Sequence, residues 1–287
     1  MSTFILTSIA MLAFAANSIL CRLALAEGTI DAGSFTLIRL ISGAIVLAAI
    51  LLFRQRGSNT ESLGWAFSLL AGGALFGYAI LFSFAYINLA AGTGALLLFG
   101  AVQLTLLGLH WWQGQRFKAL EVIGILCSLG GFVWLMLPSA TRPDLVSALL
   151  MLFSGISWAL FTALGKTIKS PILGITRGFI IASCIALLFT PWLFNHSTLS
   201  TQGIVLAVLS GSIASAMGYV LWYRVIQQLT LLQASISQLS VPVITLIIGF
   251  IMLGEELSLH HIATSSVILG GIALVFIARW YHERQRA

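Results

Sequence analysis

The chain has 287 residues, of which 59% are hydrophobic and 8% charged, and its formal net charge is +6. Soluble domains run near one quarter charged, so a chain of mean hydropathy +1.05 lacks the polar surface to meet water on all sides. That excludes an ordinary soluble enzyme or a nucleic-acid-binding domain, and the basic excess reads instead as loops beside anionic lipid. Membrane β-strands would be alternating segments of about 10 residues between turns. The apolar runs here are continuous and reach the roughly 20 residues that a helical span needs. The fold class is therefore an all-α polytopic membrane protein.

Turn and charge clusters cut the chain into ten spans. The first, 3–21, holds "FILTSIAMLAFAANS", and its Ala13-Phe14-Ala15 is similar to a cleavage site. No Lys or Arg precedes it, so it is expected to be a retained span and not a signal peptide. The others are expected at 34–53, 65–86, 89–111, 119–137, 145–165, 172–194, 202–223, 230–253 and 259–280. With the N-terminus inside, the inner loops carry Arg54, Arg56, Arg116, Lys118, Lys166, Lys169 and Arg224, and the tail carries Arg279, Arg284 and Arg286. The outer side has Arg142, with Arg22 close to it. This positive-inside bias, with an even span count, puts both termini in the cytoplasm. The expected location is the bacterial inner (cytoplasmic) membrane, crossed many times. Cys21, Cys127 and Cys184 lie in apolar runs without disulfide or metal spacing, and are read as small core residues. His110, beside Trp111-Trp112, is read as part of an interfacial aromatic anchor.

"MLGEELSLHHIATSSVILGGIALVF", Met252–Phe276, lies on Trp112–Met136 at an offset of 140 residues: Gly254 falls on Gly114, and Leu269-Gly270-Gly271 on Leu129-Gly130-Gly131. Each half then holds five spans, residues 1–140 and 141–287, the second ending in a short basic cytoplasmic tail. Five is odd, so the halves enter the membrane from opposite sides, and inverted repeats of this kind mark transporters. The Glu255-Glu256 pair stands at the joint between the last two spans. There it is expected to sit at a helix N-terminus, stapling the last helix to its own repeat, with His260 and His261 as partners.

Several marks together resemble the EamA family of the drug/metabolite transporter superfamily. They are Asn17-Ser18, Arg39 and "LEVIGILCSLGGF" in the first half, then Ser157-Trp158-Ala159, Gly165-Lys166, Trp222-Tyr223-Arg224, Gln233-Ala234, Pro242, Gly254-Glu255 and Gly270. The resemblance implies ten helices as two inverted five-helix repeats. It implies a central cavity lined by the first four helices of each half, the fifth packed outside, and alternating access by rocking of the repeats. The chain departs from the family pattern in three places. Gly114-Gln115 stands where Gly-Glu is common, Val241 precedes Pro242 where an acid is common, and Val102-Gln103 is the counterpart in helix four.

An ionisable side chain inside a span is a functional candidate by default. No Asp or Glu lies mid-span; the cations are Arg39 and Arg177, at matching places in the two halves. Each either snorkels to headgroups or points into the cavity to pair a carboxylate or a carbonyl. The neutral candidates for a substrate cavity are Asn17, Ser18, Tyr78, Tyr86, Gln103, Ser157, Trp158, Ser215, Tyr219, Trp222, Gln233, Gln238 and Pro242. Ser215, Tyr219 and Trp222 share one helix face. Each serine taken singly also reads as helix–helix glue, whereas the glutamines, whose amides need several partners, read as facing a wet cavity. Pro242 either kinks its helix or frees a carbonyl at the cavity. Gly73/Gly77 and Gly174/Gly178 form two G-x-x-x-G pairs expected at close helix contacts.

No phosphate-binding loop, H-E-x-x-H or G-x-S-x-G is present in the sequence. The expected function is a secondary-active or facilitative transporter and not an enzyme. It would export a small metabolite (an amino acid or related neutral or zwitterionic solute) or a drug-like compound by alternating access. No cofactor, metal, nucleic acid or ATPase subunit is expected; the partners are the substrate and the lipid bilayer, with room for a homodimer. Two other readings stay open: an enzyme acting on a lipid-linked substrate through Glu255-Glu256 and His260-His261, and a non-transporting receptor or accessory subunit.

Overall fold

The computed structural model describes residues 3–54, 64–112, 114, 117–136, 143–165, 170–193, 198–229 and 231–284. Eight of its helices are long and apolar enough to span a bilayer, and two further apolar helices complete ten among the described residues. They are α1 (Thr3–Ala26), α2 (Ala32–Arg54), α3 (Trp65–Ala85), α4 (Ala91–Trp112), α5 (Ala119–Met136) and α6 (Leu145–Gly165). Then come α7 (Pro171–Leu188), α8 (Thr201–Ile226), α9 (Leu231–Leu253) and α10 (Leu259–Arg284). The fold is all-α, and the expected spans lie on these helices.

The few acids sit where a helix needs them. The first N–H groups of a helix have no partner within it, and an oxygen placed there stabilises the start by about 1 kcal/mol. The Ser34 N–H donates to Asp31 Oδ1 at 2.8 Å, and the Ser147 N–H to Asp144 Oδ2 at 2.8 Å. Glu121 accepts from the Lys118 N–H at 3.2 Å. Ser200 and Ser258 cap α8 and α10 in the same way. Large apolar side chains cover the outside, Phe53, Leu188 and Met252 among them, as expected where lipid replaces water. Cys127 and Cys184 are exposed there too, and Cys21 alone is buried, so two of the three cysteines are not core residues. Trp111 and Trp112 are exposed at the end of α4. The His110 side chain lies outside the described residues.

The contacts between the two halves are reciprocal. α2 packs on α7, α4 on α9 and α5 on α10; α3 packs on α6 and α7, as α1 and α2 pack on α8. Exchanging each span with the one five places later leaves this pattern unchanged. The α5–α10 seam shows it residue by residue. Gly131 faces Ile268, and Gly271 faces Ser128, whose hydroxyl donates to the Ile268 carbonyl at 3.1 Å. Advancing 131 and 128 by 140 gives 271 and 268, so the two contacts are one contact made twice. The joint glycines agree: Gly114 has φ +87° and Gly254 φ +64°, a left-handed conformation that glycine adopts without strain.

Of the expected G-x-x-x-G contacts, Gly77 and Gly178 are close and one shifts by a residue. A Cβ on Gly73 would meet open space, whereas one on Gly72 would meet Ile181, and one on Gly77 would approach Ser157 Oγ at 3.2 Å. Gly72 is thus the close α3–α7 contact, and Gly178 faces Phe161 on α6.

Along the bundle, the α1–α2 and α7–α8 connections pair at one end: the Ser200 N–H donates to the Thr29 carbonyl at 2.9 Å and the Asp31 N–H to the Thr198 carbonyl at 3.2 Å. At the other end Thr3, on the first turn of α1, donates to Gln228 Oε1 at 2.8 Å. We expect Gly271→Val to overpack the seam, a change that costs ~1–3 kcal/mol, while Gly270→Val, facing open space, is silent. Thermal unfolding in detergent should show a drop of several degrees for the first and none for the second.

Candidate functional site

The centre of the bundle is built by a break in helical regularity. Ser210–Met217, in the middle of α8, is π-helical, closing i→i+5 hydrogen bonds so that residues five apart lie closer to one face than in an α-helix. In an α-helix Ser210 and Ser215 would point about 140° apart. Here both are buried and face the same cluster: Ser210 Oγ donates to Asn17 Oδ1 at 2.7 Å, and Ser215 Oγ accepts from Arg39 Nε at 3.2 Å. Gly211 permits the approach, since a Cβ there would collide with the Arg39 backbone.

Arg39 is 1% exposed. It does not snorkel. Its Nη2 donates to the Tyr78 hydroxyl at 2.9 Å, and its Cζ lies 5.0 Å and 4.9 Å from the Tyr78 and Phe82 ring centres. Nη1 has no hydrogen-bond partner among the described residues. None of these neighbours carries a negative charge, although desolvating a cation is a penalty of several kcal/mol. Aromatic faces recover about 2 kcal/mol when dry, and the two hydroxyls add charge-assisted bonds.

Tyr78 is the hub. Its hydroxyl accepts from Arg39 and from Asn17 Nδ2 at 3.2 Å, and the Tyr219 hydroxyl stands 3.5 Å away. The Tyr219 hydroxyl is placed to donate to it, and a space lies beside the pair. That space is a void of ≈ 10 Å³ walled by Phe14, Asn17, Ser18, Tyr78, Phe82, Leu98, Phe99, Trp158 and Tyr219, room for about one water. Phe14 packs edge-on to Trp158, Tyr219 and Trp222, at 6.2, 5.9 and 5.9 Å between ring centres.

Of the candidates read from the sequence, the structure brings together Asn17, Ser18, Arg39, Tyr78, Trp158, Ser215, Tyr219 and Trp222. It places the others elsewhere. Arg177 is half-buried on α7, and Phe179 is the residue that α7 presents to Tyr219, 5.8 Å away, so the two arginines are not equivalent. Gln103 is buried in α4 away from the void wall, both amide atoms unpartnered among the described residues. Gln238 and Pro242 are buried in α9, which runs through the proline from Leu231 to Leu253. Ser157 is half-buried and donates to its own helix at Phe153. The Gln233 side chain lies outside the described residues. Tyr86 is buried near the α3–α4 joint and donates to the Ala91 carbonyl at 3.2 Å. Phe14, Phe82, Leu98 and Phe99 were not among the candidates; an apolar residue within an apolar run carries no signal of its own.

The model of the EamA-like transporter family matches residues 145–277. A protein of Pseudomonas aeruginosa, PA1977, is 44% identical over 96% of this chain and 95% of its own length. The chain belongs to the EamA-like transporter family. A Bacillus subtilis relative named as the uncharacterized transporter YoaV is 20% identical over 83% of this chain and 85% of its own. An Archaeoglobus fulgidus protein, also named an uncharacterized transporter, is 27% identical over 56% of this chain and 59% of its own. A solved crystal structure superposes with TM-score 0.68 over 96% of this chain and 99% of its own at 19% identity, a likeness of fold.

The Gly-Glu joint of this EamA-like chain does something other than staple its own repeat. Glu255 reaches the first half: its two carboxylate oxygens stand 2.8 and 2.9 Å from the Ala91 N–H at the start of α4, and Oε1 lies 3.4 Å from Arg22 Nε. Arg22 in turn donates to the Tyr86 and Ile87 carbonyls at 3.0 and 2.8 Å. The helix N-terminus that Glu255 serves is α4's, while α10 is capped by Ser258. Glu256 is exposed, and His260 lies edge-on to Trp134 at 5.9 Å.

Tyr78→Phe should leave Arg39 Nη2 and Asn17 Nδ2 without their shared acceptor, at about 1–3 kcal/mol per stranded group. Thermal unfolding should show a clearly larger loss for Tyr78→Phe than for Tyr219→Phe; equal losses would remove Tyr78 as the hub.

Proposed function

We propose that the protein is a secondary-active or facilitative transporter of the bacterial inner membrane. It exports a small metabolite by alternating access, with both termini in the cytoplasm. The observation that carries this reading is the difference between the two ends of the bundle. At the end bearing the α3–α4 and α9–α10 joints, Glu255, Arg22 and the Ala91 N–H tie the halves together. At the N-terminal end a groove of ≈ 840 Å³ opens between α1 and the α8–α9 region, lined by Thr3, Thr7, Ser8, Met11, Gln228, Ser237 and Ser240 among others. That is ample for a small solute. Met11 lies on the groove and Phe14, one turn deeper, walls the central void. Groove, aromatic layer and polar cluster follow one another along the axis, the order expected of a pathway open at one end and shut at the other.

The cluster is aromatic and hydroxyl-rich, which suits an amphipathic neutral or zwitterionic solute. The enzyme reading has less support. It depended on Glu255 beside the histidines, and the Glu255 carboxylate is engaged with α4 and Arg22.

Two measurements test the proposal. In proteoliposomes, Tyr219→Ala should reduce solute counterflow by tenfold or more while the protein still unfolds cooperatively; normal flux would place the pathway elsewhere. In a cysteine-free background carrying Ala90→Cys, Glu255→Ala should raise labelling by an impermeant maleimide from the periplasmic side several-fold. An unchanged rate would show that Glu255 does not hold that end shut.

A further inference from the structure

A buried cation with unused donors asks what completes it. Arg39 offers five N–H donors, of which Nε and one on Nη2 are engaged, by Ser215 and Tyr78. These two lie along one edge of the guanidinium. The other fork, the remaining Nη2 hydrogen and both on Nη1, makes no hydrogen bond among the described residues. No acid lies mid-span to serve it. A free fork of two parallel N–H donors in a dry site matches a carboxylate, which can take both at once.

We propose that Arg39 is the specificity residue for an anionic group on the transported solute, and that this group is a carboxylate borne by a body with an apolar or aromatic face. The proposal rests on the transport reading above and narrows it. Tyr78 and Phe82 wall the central void and also cover the guanidinium, so Arg39 stands one side-chain layer behind the wall. When the halves part, the Tyr78 and Phe82 rings that cover the guanidinium move aside and the carboxylate takes the free fork. Phe14, Trp158 and Tyr219 receive the apolar body. Among the groups around the void Arg39 supplies the one full charge, which suits a single carboxylate better than a phosphate dianion. A cationic amphiphile meets a like charge at low dielectric and is rejected.

The test uses the full-length purified protein and matched ligands: phenylalanine and leucine, their amides, and the corresponding decarboxylated amines, in sulfate buffer with and without chloride. Thermal unfolding is followed by counterflow in proteoliposomes. At least one amino acid should raise Tm and drive counterflow, while its amide and amine bind at least tenfold more weakly. Arg39→Lys should keep part of that discrimination and Arg39→Gln should lose it. Wild-type protein alone decides the matter if Arg39→Gln fails to fold. Equal shifts by acid and amide, or shifts by chloride with none by either amino acid, overturn the proposal. Counterflow of the amines without the amino acids leaves transport standing and removes the carboxylate. A carboxylate-dependent shift without flux of any ligand upholds the anion site and removes transport.

Discussion

Hydrocarbon offers no hydrogen bonds, so every polar group carried into the membrane must find its partner within the protein. This constraint arranges the chain. Asp31, Glu121, Asp144 and Glu255 all end on backbone N–H groups at helix starts, where they supply what the helices lack and stay near the water. Several of the polar groups that do lie deep converge on one another, while Gln103 stands apart in α4. Asn17, Ser210, Ser215, Tyr78 and Arg39 form a single connected network, and the π-helical stretch of α8 exists where that network needs two serines on one face. The cost of an unpaired polar group in lipid gathers the chemistry into one place.

The rest of the bundle supports that place. Aromatic rings from α1, α3, α6 and α8 close around the network, and close glycine contacts let helices carrying such rings approach. Gly211 sits against the Arg39 backbone and Gly43 against Phe179. The exterior is left to large apolar side chains with no task other than meeting lipid.

Much of this was legible beforehand. Ten apolar runs became ten helices because length and hydropathy determine a span almost alone. The offset of 140 located the joint glycines and the α5–α10 seam because turn geometry and close approach both require glycine. Asn17, Tyr78, Trp158, Ser215 and Tyr219 stood out as polar or aromatic residues in apolar surroundings. What stayed hidden depended on partners distant in sequence. Arg39 and Arg177 looked equivalent by position, yet packing buries one and leaves the other half-exposed. Phe14 is inconspicuous in a run of apolar residues. A widened helical turn leaves no trace in a pattern of hydrophobicity, and Glu255 reaches across to a helix start more than 160 residues earlier.

Among the described residues that reach is made from the second half. At the matching joint the first half has Gly114-Gln115 where the second has Gly254-Glu255, so the charge that ties α9–α10 to α4 has no counterpart in sequence at the opposite end. In the alternating-access reading proposed above, two otherwise similar halves then do not give a balanced conformational equilibrium. A charge-assisted contact of about 1.5–3 kcal/mol on that side tilts the resting population roughly 10- to 150-fold toward the conformer sealed at the Glu255 end. With the termini in the cytoplasm, as proposed, that conformer holds its groove toward the cell interior, poised to load from inside. On that reading, one amino-acid difference between the halves sets a standing preference for the side on which the cycle begins.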